Sequence, residues 1–92
     1  MGLVFAWDKE KADLNISKHG VSFEDASSAF GDPLSVTIAD PEHSRGERRY
    51  ILVGETMRRK LVVVAHSETR STIRIISARY ANKHERRTYE ES

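Results

Sequence analysis

The spacing of apolar residues changes once along this 92-residue chain, and that change constrains the fold more than any other feature. After a short aromatic and branched run at residues 3–7, apolar residues recur at intervals of three or four up to Phe30, as in helices. From Leu34 onwards they alternate with polar residues, as in strands. The sequence therefore predicts an α+β fold with helices early and a sheet later.

Two helices are predicted after the first strand. Asp8 has the position of an N-cap, and a cationic turn followed by Gly20 is typical of a helix C-terminus. Ser22 and Asp25 have capping-box spacing, so a second helix is expected to start there and to end near residues 31–33.

Four strands and a last helix are predicted next. The segments between the strands are short enough to join neighbours in an antiparallel meander. A chain of this length has the surface-to-volume ratio of one small unit, so a single domain over residues 1–92 is expected. The predicted strands span residues 34–39, 49–53, 60–67 and 72–79, and the polar helix spans residues 81–91.

Basic residues are concentrated in the second half, although the formal net charge is only +1. Between Arg70 and Arg87, five arginines and one lysine accompany a single acid. Arginine favours bidentate contacts with phosphate or carboxylate, so this footprint indicates RNA, DNA or an acidic protein segment as a partner. A solvated basic surface without a ligand is the alternative.

Side-chain alternation along the last predicted strand places Arg74 and Arg79 on opposite faces of the sheet. Both faces also carry isoleucine, so an interior position is expected for this strand. In the preceding strand, His66 ends an apolar row that begins at Val62. A buried structural histidine and a proton acceptor are both open interpretations of His66.

Several kinds of site are absent from the sequence. The chain has no cysteine, its four histidines are scattered, and no zinc, calcium or phosphate-loop motif occurs. No metal or cofactor is therefore expected. The longest apolar run, at residues 1–7, is far shorter than the roughly 18 residues that cross a bilayer. A cytoplasmic protein without a membrane partner is expected.

The remaining polar residues suit metal-free RNA cleavage. In-line attack by a 2′-hydroxyl needs a base for its proton, cations for the phosphorane charge and an acid for the leaving oxygen. Residue types alone permit this chemistry without assigning it. The candidates are Lys18, His19, Glu47, Tyr50, His66, Arg74 and Arg79.

Three segments together resemble the BrnT family of bacterial type II toxins, and the similarity extends over nearly the whole chain. The combination of Trp-Asp, Lys-His-Gly and Ile-Ile-Ser-Ala-Arg is the most specific part. The segments are residues 5–23, 46–54 and 73–79, with Glu-Arg-Arg at residues 85–87 as a further match.

This resemblance implies a RelE-like fold, in which helices flank a small antiparallel sheet. It also implies a metal-independent ribonuclease that inhibits translation and is neutralised by a BrnA-type antitoxin. In that fold, RNA is held across the sheet.

The resemblance also implies site residues. Arg74 and Arg79 are expected to bind the scissile phosphate, and His66 or Glu47 to accept a proton. The full catalytic prediction is Lys18, His19, Glu47, His66, Arg74 and Arg79. The RNA-binding prediction is Arg48, Arg49, Tyr50 and Arg70.

A binding module of a different class is the alternative function. The same basic strand and last helix would then bind an antitoxin or nucleic acid without turnover. In a toxin–antitoxin repressor complex, this chain would be a structural subunit that meets DNA only through the antitoxin.

Overall fold

The structure is a computed structural model that describes residues 3–40 and 47–91. Over those residues the chain forms one five-stranded sheet and three α-helices, which confirms the predicted α+β class and element order. Gly46, which opens one of the family segments, lies outside the described residues. The elements are β1 (Val4–Ala6), α1 (Lys9–His19), α2 (Phe23–Ser28), a 3₁₀ turn (Ala29–Gly31), β2 (Val36–Ala39), β3 (Arg49–Glu55), β4 (Leu61–Glu68), β5 (Thr72–Tyr80) and α3 (Lys83–Glu91).

The sheet has the order β1-β5-β4-β3-β2. Strands β2 to β5 form the predicted antiparallel meander. The sheet as a whole is mixed rather than antiparallel, because β1 pairs with β5 in the parallel direction, with Phe5 opposite Ile73. A parallel neighbour needs a long connection, and here that connection comprises α1, α2 and strands β2 to β4. Strand β5 therefore lies inside the sheet, as its isoleucines predicted.

Local capping explains both early helices. The Asp8 side chain accepts a hydrogen bond from the N–H of Lys11 at the start of α1. Gly20 ends α1 with a φ of 74°, a left-handed conformation that glycine adopts without a Cβ clash. The Ser22 hydroxyl accepts from the N–H of Asp25 and starts α2. These contacts confirm the predicted start and end of the first helix and the start of the second. The second α-helix ends at Ser28, earlier than predicted, and a 3₁₀ turn continues to Gly31.

The hydrophobic core lies between α1, α2 and one face of the sheet. Phe23 and Ala26 of α2 are fully buried, as is Val64 of β4. Burying one large apolar side chain contributes about 1.5–3 kcal/mol. Gly54 allows β3 to approach the 3₁₀ turn, since an added Cβ would lie 3.0 Å from the carbonyl oxygen of Ala29.

Asn15 attaches α1 to the outer edge of β5. Strand β1 covers only residues 72–74 of that edge. Further along, the Asn15 amide donates to the carbonyl oxygen of Ala78 at 2.8 Å and accepts from its N–H at 3.1 Å. It also donates to the carbonyl oxygen of Val21. This buried side chain places the C-terminal end of α1 beside β5.

Helix α3 docks through polar contacts, and none of its residues is buried. Asn82 and Glu85 form a reciprocal capping box, in which each side chain accepts from the backbone N–H of the other. The Tyr89 hydroxyl donates to Asp32 Oδ2 at 2.6 Å. No helix among the described residues is both long and apolar enough to cross a membrane.

Candidate functional site

A β-bulge in β5 places Arg74 and Arg79 on the same face of the sheet. Ser77 pairs with Ala65 and Ile75 pairs with His66, so Ile76 is an extra residue. The prediction that alternation separates the two arginines was wrong. One extra residue reverses the alternation beyond it, and a bulge is a tertiary feature that spacing alone does not reveal.

This face, opposite the one that packs on α2, is called the arginine face here. At one end of this face, three residues on neighbouring strands form a cross-strand row, because Arg49 pairs with Ser67 and Ser67 pairs with Arg74. Arg49 is half-buried and Arg74 is exposed. The arginine face is named for its polar residues Arg49, Ser67, Arg74, Ser77 and Arg79, and Ile51, Val63 and Ala65 lie on the same face.

Arg79 is held by Glu85 of α3. Its two Nη atoms donate to the two Glu85 carboxylate oxygens at 2.8 and 2.7 Å. These hydrogen bonds raise the pKa of Arg79 and lower the pKa of Glu85, so the pair is ionised at neutral pH. Glu85 was not among the predicted site residues. The structure shows that Glu85 forms a capping box with Asn82, and that spacing gives no indication of the contact with Arg79.

Lys18 and His19 lie beside the bulge. With Ile76 and Ser77 they line a cleft of about 170 Å³ between α1 and β5. Lys18 is exposed and His19 is half-buried. Ser77 belongs both to this cleft and to the arginine face, so the structure brings the predicted residues of α1 next to those of β5.

The predicted residues around the start of β3 diverge. Glu47 is half-buried and Arg48 is exposed just before the strand. Arg49 lies on the arginine face. Tyr50 lies on the opposite face and stacks on His66, with ring centroids 5.8 Å apart. Of these four residues, only Arg49 therefore lies in the cross-strand row with Arg74.

His66 is enclosed in the core, with 0% of its side chain exposed. Its ring nitrogens lie 3.0 Å from Glu68 Oε2 and 3.3 Å from the carbonyl oxygen of Val64. The Phe30 ring packs edge to face against the His66 ring, with the ring centroids 4.8 Å apart. In this arrangement a substrate hydroxyl does not reach His66, which favours the structural interpretation over proton transfer.

Arg70 is exposed in the turn between β4 and β5. This turn closes through a hydrogen bond from the N–H of Thr69 to the carbonyl oxygen of Thr72. It lies at the sheet end that carries the Arg49–Ser67–Arg74 row. Within residues 3–40 and 47–91, no three histidine or acidic side chains are grouped so that they could hold a metal ion.

Comparison with known proteins gives a family. The family described as "Ribonuclease toxin, BrnT, of type II toxin-antitoxin system" matches residues 7–85. Among solved structures, the fold is similar to the Brucella abortus ribonuclease toxin BrnT, with a TM-score of 0.64 and 24% identity. That similarity covers 89% of this chain and 100% of the other and supports the fold alone. No curated protein matches significantly. On the family match over most of its length, the chain belongs to the BrnT family of ribonuclease toxins of type II toxin–antitoxin systems.

Proposed function

We propose that this chain is an endoribonuclease that cleaves RNA without a metal ion, inhibits translation in the cytoplasm and is neutralised by a BrnA-type antitoxin. The observation that carries the proposal is the β5 bulge. It brings Arg74 and Arg79 onto one face, and Ile76 and Ser77 at the bulge help to line the cleft that contains Lys18 and His19. A phosphodiester backbone crossing β5 would meet all four residues.

The arginines act on the phosphate. Arg74 is exposed and makes no side-chain hydrogen bond or ion pair with the described residues, so its guanidinium can bind non-bridging oxygens. Arg79 exchanges the Glu85 carboxylate for phosphate when RNA binds. Two guanidinium groups then stabilise the charge that develops on the phosphorane.

Proton transfer completes the reaction. The 2′-oxygen forms a bond to phosphorus as its proton passes to Glu47, the accessible one of the two predicted acceptors. The bond from phosphorus to the 5′-oxygen breaks, and that oxygen takes a proton from Lys18 or His19. The products are a 2′,3′-cyclic phosphate and a 5′-hydroxyl end.

RNA cleavage in excess EDTA tests this function. Wild-type protein is expected to produce fragments with cyclic phosphate ends, and Arg79→Ala to produce none. Arg58→Ala is the matched control, because it removes one positive charge from the exposed turn between β3 and β4. Cleavage that stops in EDTA would contradict metal independence.

An absence of fragments from both free and ribosome-bound RNA would contradict the proposed endoribonuclease activity. The binding module would then be the better description.

The antitoxin partner needs a separate test. Coexpression of the BrnA-type antitoxin is expected to restore growth, and the two chains are expected to coelute. In mobility-shift assays, operator DNA is expected to bind the complex and not this chain alone. A DNA shift by the chain alone would contradict the indirect role in DNA binding.

A further inference from the structure

Ser67 occupies the middle of the cross-strand row on the arginine face. Neighbouring strands are about 5 Å apart, so the backbones of Arg49 and Arg74 lie about 10 Å apart with Ser67 between them. All three side chains project from the same face. The hydroxyl is therefore flanked by two guanidinium-bearing residues.

The Ser67 hydroxyl is buried and makes no hydrogen bond with the residues that the structure describes. Its residue is 1% exposed. Among the described residues, its Oγ is the one buried side-chain nitrogen or oxygen atom that makes no hydrogen bond. Such a group loses its hydration on folding and regains nothing until a partner arrives. An unused donor beside two cations is a feature expected of an anion site.

We propose that Ser67 binds the substrate by donating its Oγ hydrogen to a non-bridging phosphate oxygen of RNA held by Arg49 and Arg74. This inference rests on the proposed ribonuclease function and adds a residue to it. A phosphodiester offers two non-bridging oxygens with several lone pairs, which suits two guanidinium groups and one hydroxyl.

A phosphate reaches the Ser67 hydroxyl when the Arg74 side chain moves aside. This side chain is exposed and has no hydrogen-bond or ion-pair partner among the residues that the structure describes. The Arg74 side chain can therefore move as the phosphate enters and then bind that phosphate on the side facing away from the sheet. The hydroxyl is neutral, so it adds a directed hydrogen bond without adding to the long-range attraction.

The test measures binding of a 2′-O-methyl RNA oligonucleotide, whose blocked 2′-oxygen prevents cleavage. Ser67→Ala is expected to weaken binding about tenfold, the loss typical of a hydrogen bond to a charged oxygen. The slope of log Kd against log salt is expected to stay unchanged. Arg74→Ala is expected to reduce that slope by about 0.7, as for one lost phosphate contact to a single strand.

Thermal melting separates this role from a structural one. Removing an unpartnered hydroxyl is expected to leave the Tm of Ser67→Ala unchanged or higher. Ser67→Cys keeps the shape with a weak donor, and it serves the same test if the alanine variant does not fold. Ser27→Ala is the matched control, because its hydroxyl bonds Glu24 within α2, on the other side of the sheet.

The outcomes are distinct. Wild-type affinity and cleavage in both Ser67 variants would overturn the Ser67 assignment and leave the ribonuclease function standing. A lowered Tm together with weaker binding would also overturn it, because the serine would then act through the fold. Wild-type protein that neither cleaves RNA nor binds the oligonucleotide would overturn both.

Discussion

Arg79 and Glu85 form a bidentate ion pair, with Nη1 2.8 Å from Oε1 and Nη2 2.7 Å from Oε2. The contact joins β5 to the first turn of α3. It also neutralises one of the two β5 arginines on the arginine face. Under the proposed function, RNA and Glu85 compete for the same guanidinium.

Replacing Glu85 by glutamine is expected to strengthen RNA binding several-fold. Glutamine keeps the capping box with Asn82 but leaves the charge of Arg79 uncompensated. The salt slope for a 2′-O-methyl RNA is expected to steepen by about 0.7. Stability is expected to fall by at most about 1 kcal/mol, because the Arg79 side chain is 44% exposed.

The control for this change is Glu90→Gln, an equal change of charge at an exposed position of α3. Equal effects of the two variants on RNA binding would show that only net charge matters. That result would contradict competition at Arg79.

The Tyr89→Phe substitution is expected to lower the free energy of unfolding by about 1 kcal/mol. It removes the hydrogen bond of 2.6 Å to the Asp32 carboxylate that docks α3. Urea denaturation measures the loss, and faster hydrogen exchange in α3 should accompany it. Tyr80→Phe is the control, since its hydroxyl makes a longer bond of 3.4 Å to Gly20. Equal losses in both variants would argue against a docking role.

Stability is expected to fall in acid because of Asp32. Burial acts to raise the pKa of Asp32, but hydrogen bonds from Tyr89 and from the N–H groups of Glu55 and Leu34 together lower it. A lowered folded-state pKa gives stability that is present above the unfolded pKa and lost as pH falls through the folded one. Urea denaturation from about pH 6 to pH 2 should show this loss, and Asp32→Asn should flatten it. An unchanged slope would contradict the assignment.

One tyrosine is expected to titrate late. The hydrogen bond to Asp32 raises the pKa of Tyr89 to about 12. The stability from this raised pKa is complete below the unfolded value of about 10 and is lost as pH rises towards 12. Phenolate absorbance should show a step near pH 12 in the wild type that is missing in Tyr89→Phe. Persistence of the step in that variant would assign it to another tyrosine.

The His66→Phe substitution is expected to leave RNA cleavage within a few-fold of wild type. Phenylalanine preserves the ring contacts with Phe30 and Tyr50 but has no nitrogen for proton transfer. Glu47→Gln is the comparison and is expected to slow cleavage about 10²- to 10⁴-fold. Thermal melting checks that both variants fold. A similarly large loss in folded His66→Phe would restore His66 as the proton acceptor.

Local chemistry made several elements readable from the sequence. Asp8, Gly20 and Ser22 act on their own helix ends, within a few residues, so their caps were predictable. The period-two runs likewise identified the strands of the meander. The distribution of charge along the sequence also showed where the arginines are concentrated, although it did not show which of them share a surface.

The tertiary structure decided the site, because its relationships join residues that are distant in sequence or depend on strand register. The bulge at Ile76 placed Arg74 and Arg79 on the same face, and pairing across β4 put Ser67 between Arg49 and Arg74. Packing against Phe30 enclosed His66, which its strand pattern left open between two roles. Helix capping is a local balance of hydrogen bonds, whereas register and burial depend on the whole sheet. The sequence by itself therefore determined the elements, and only the fold determined which side chains could act together.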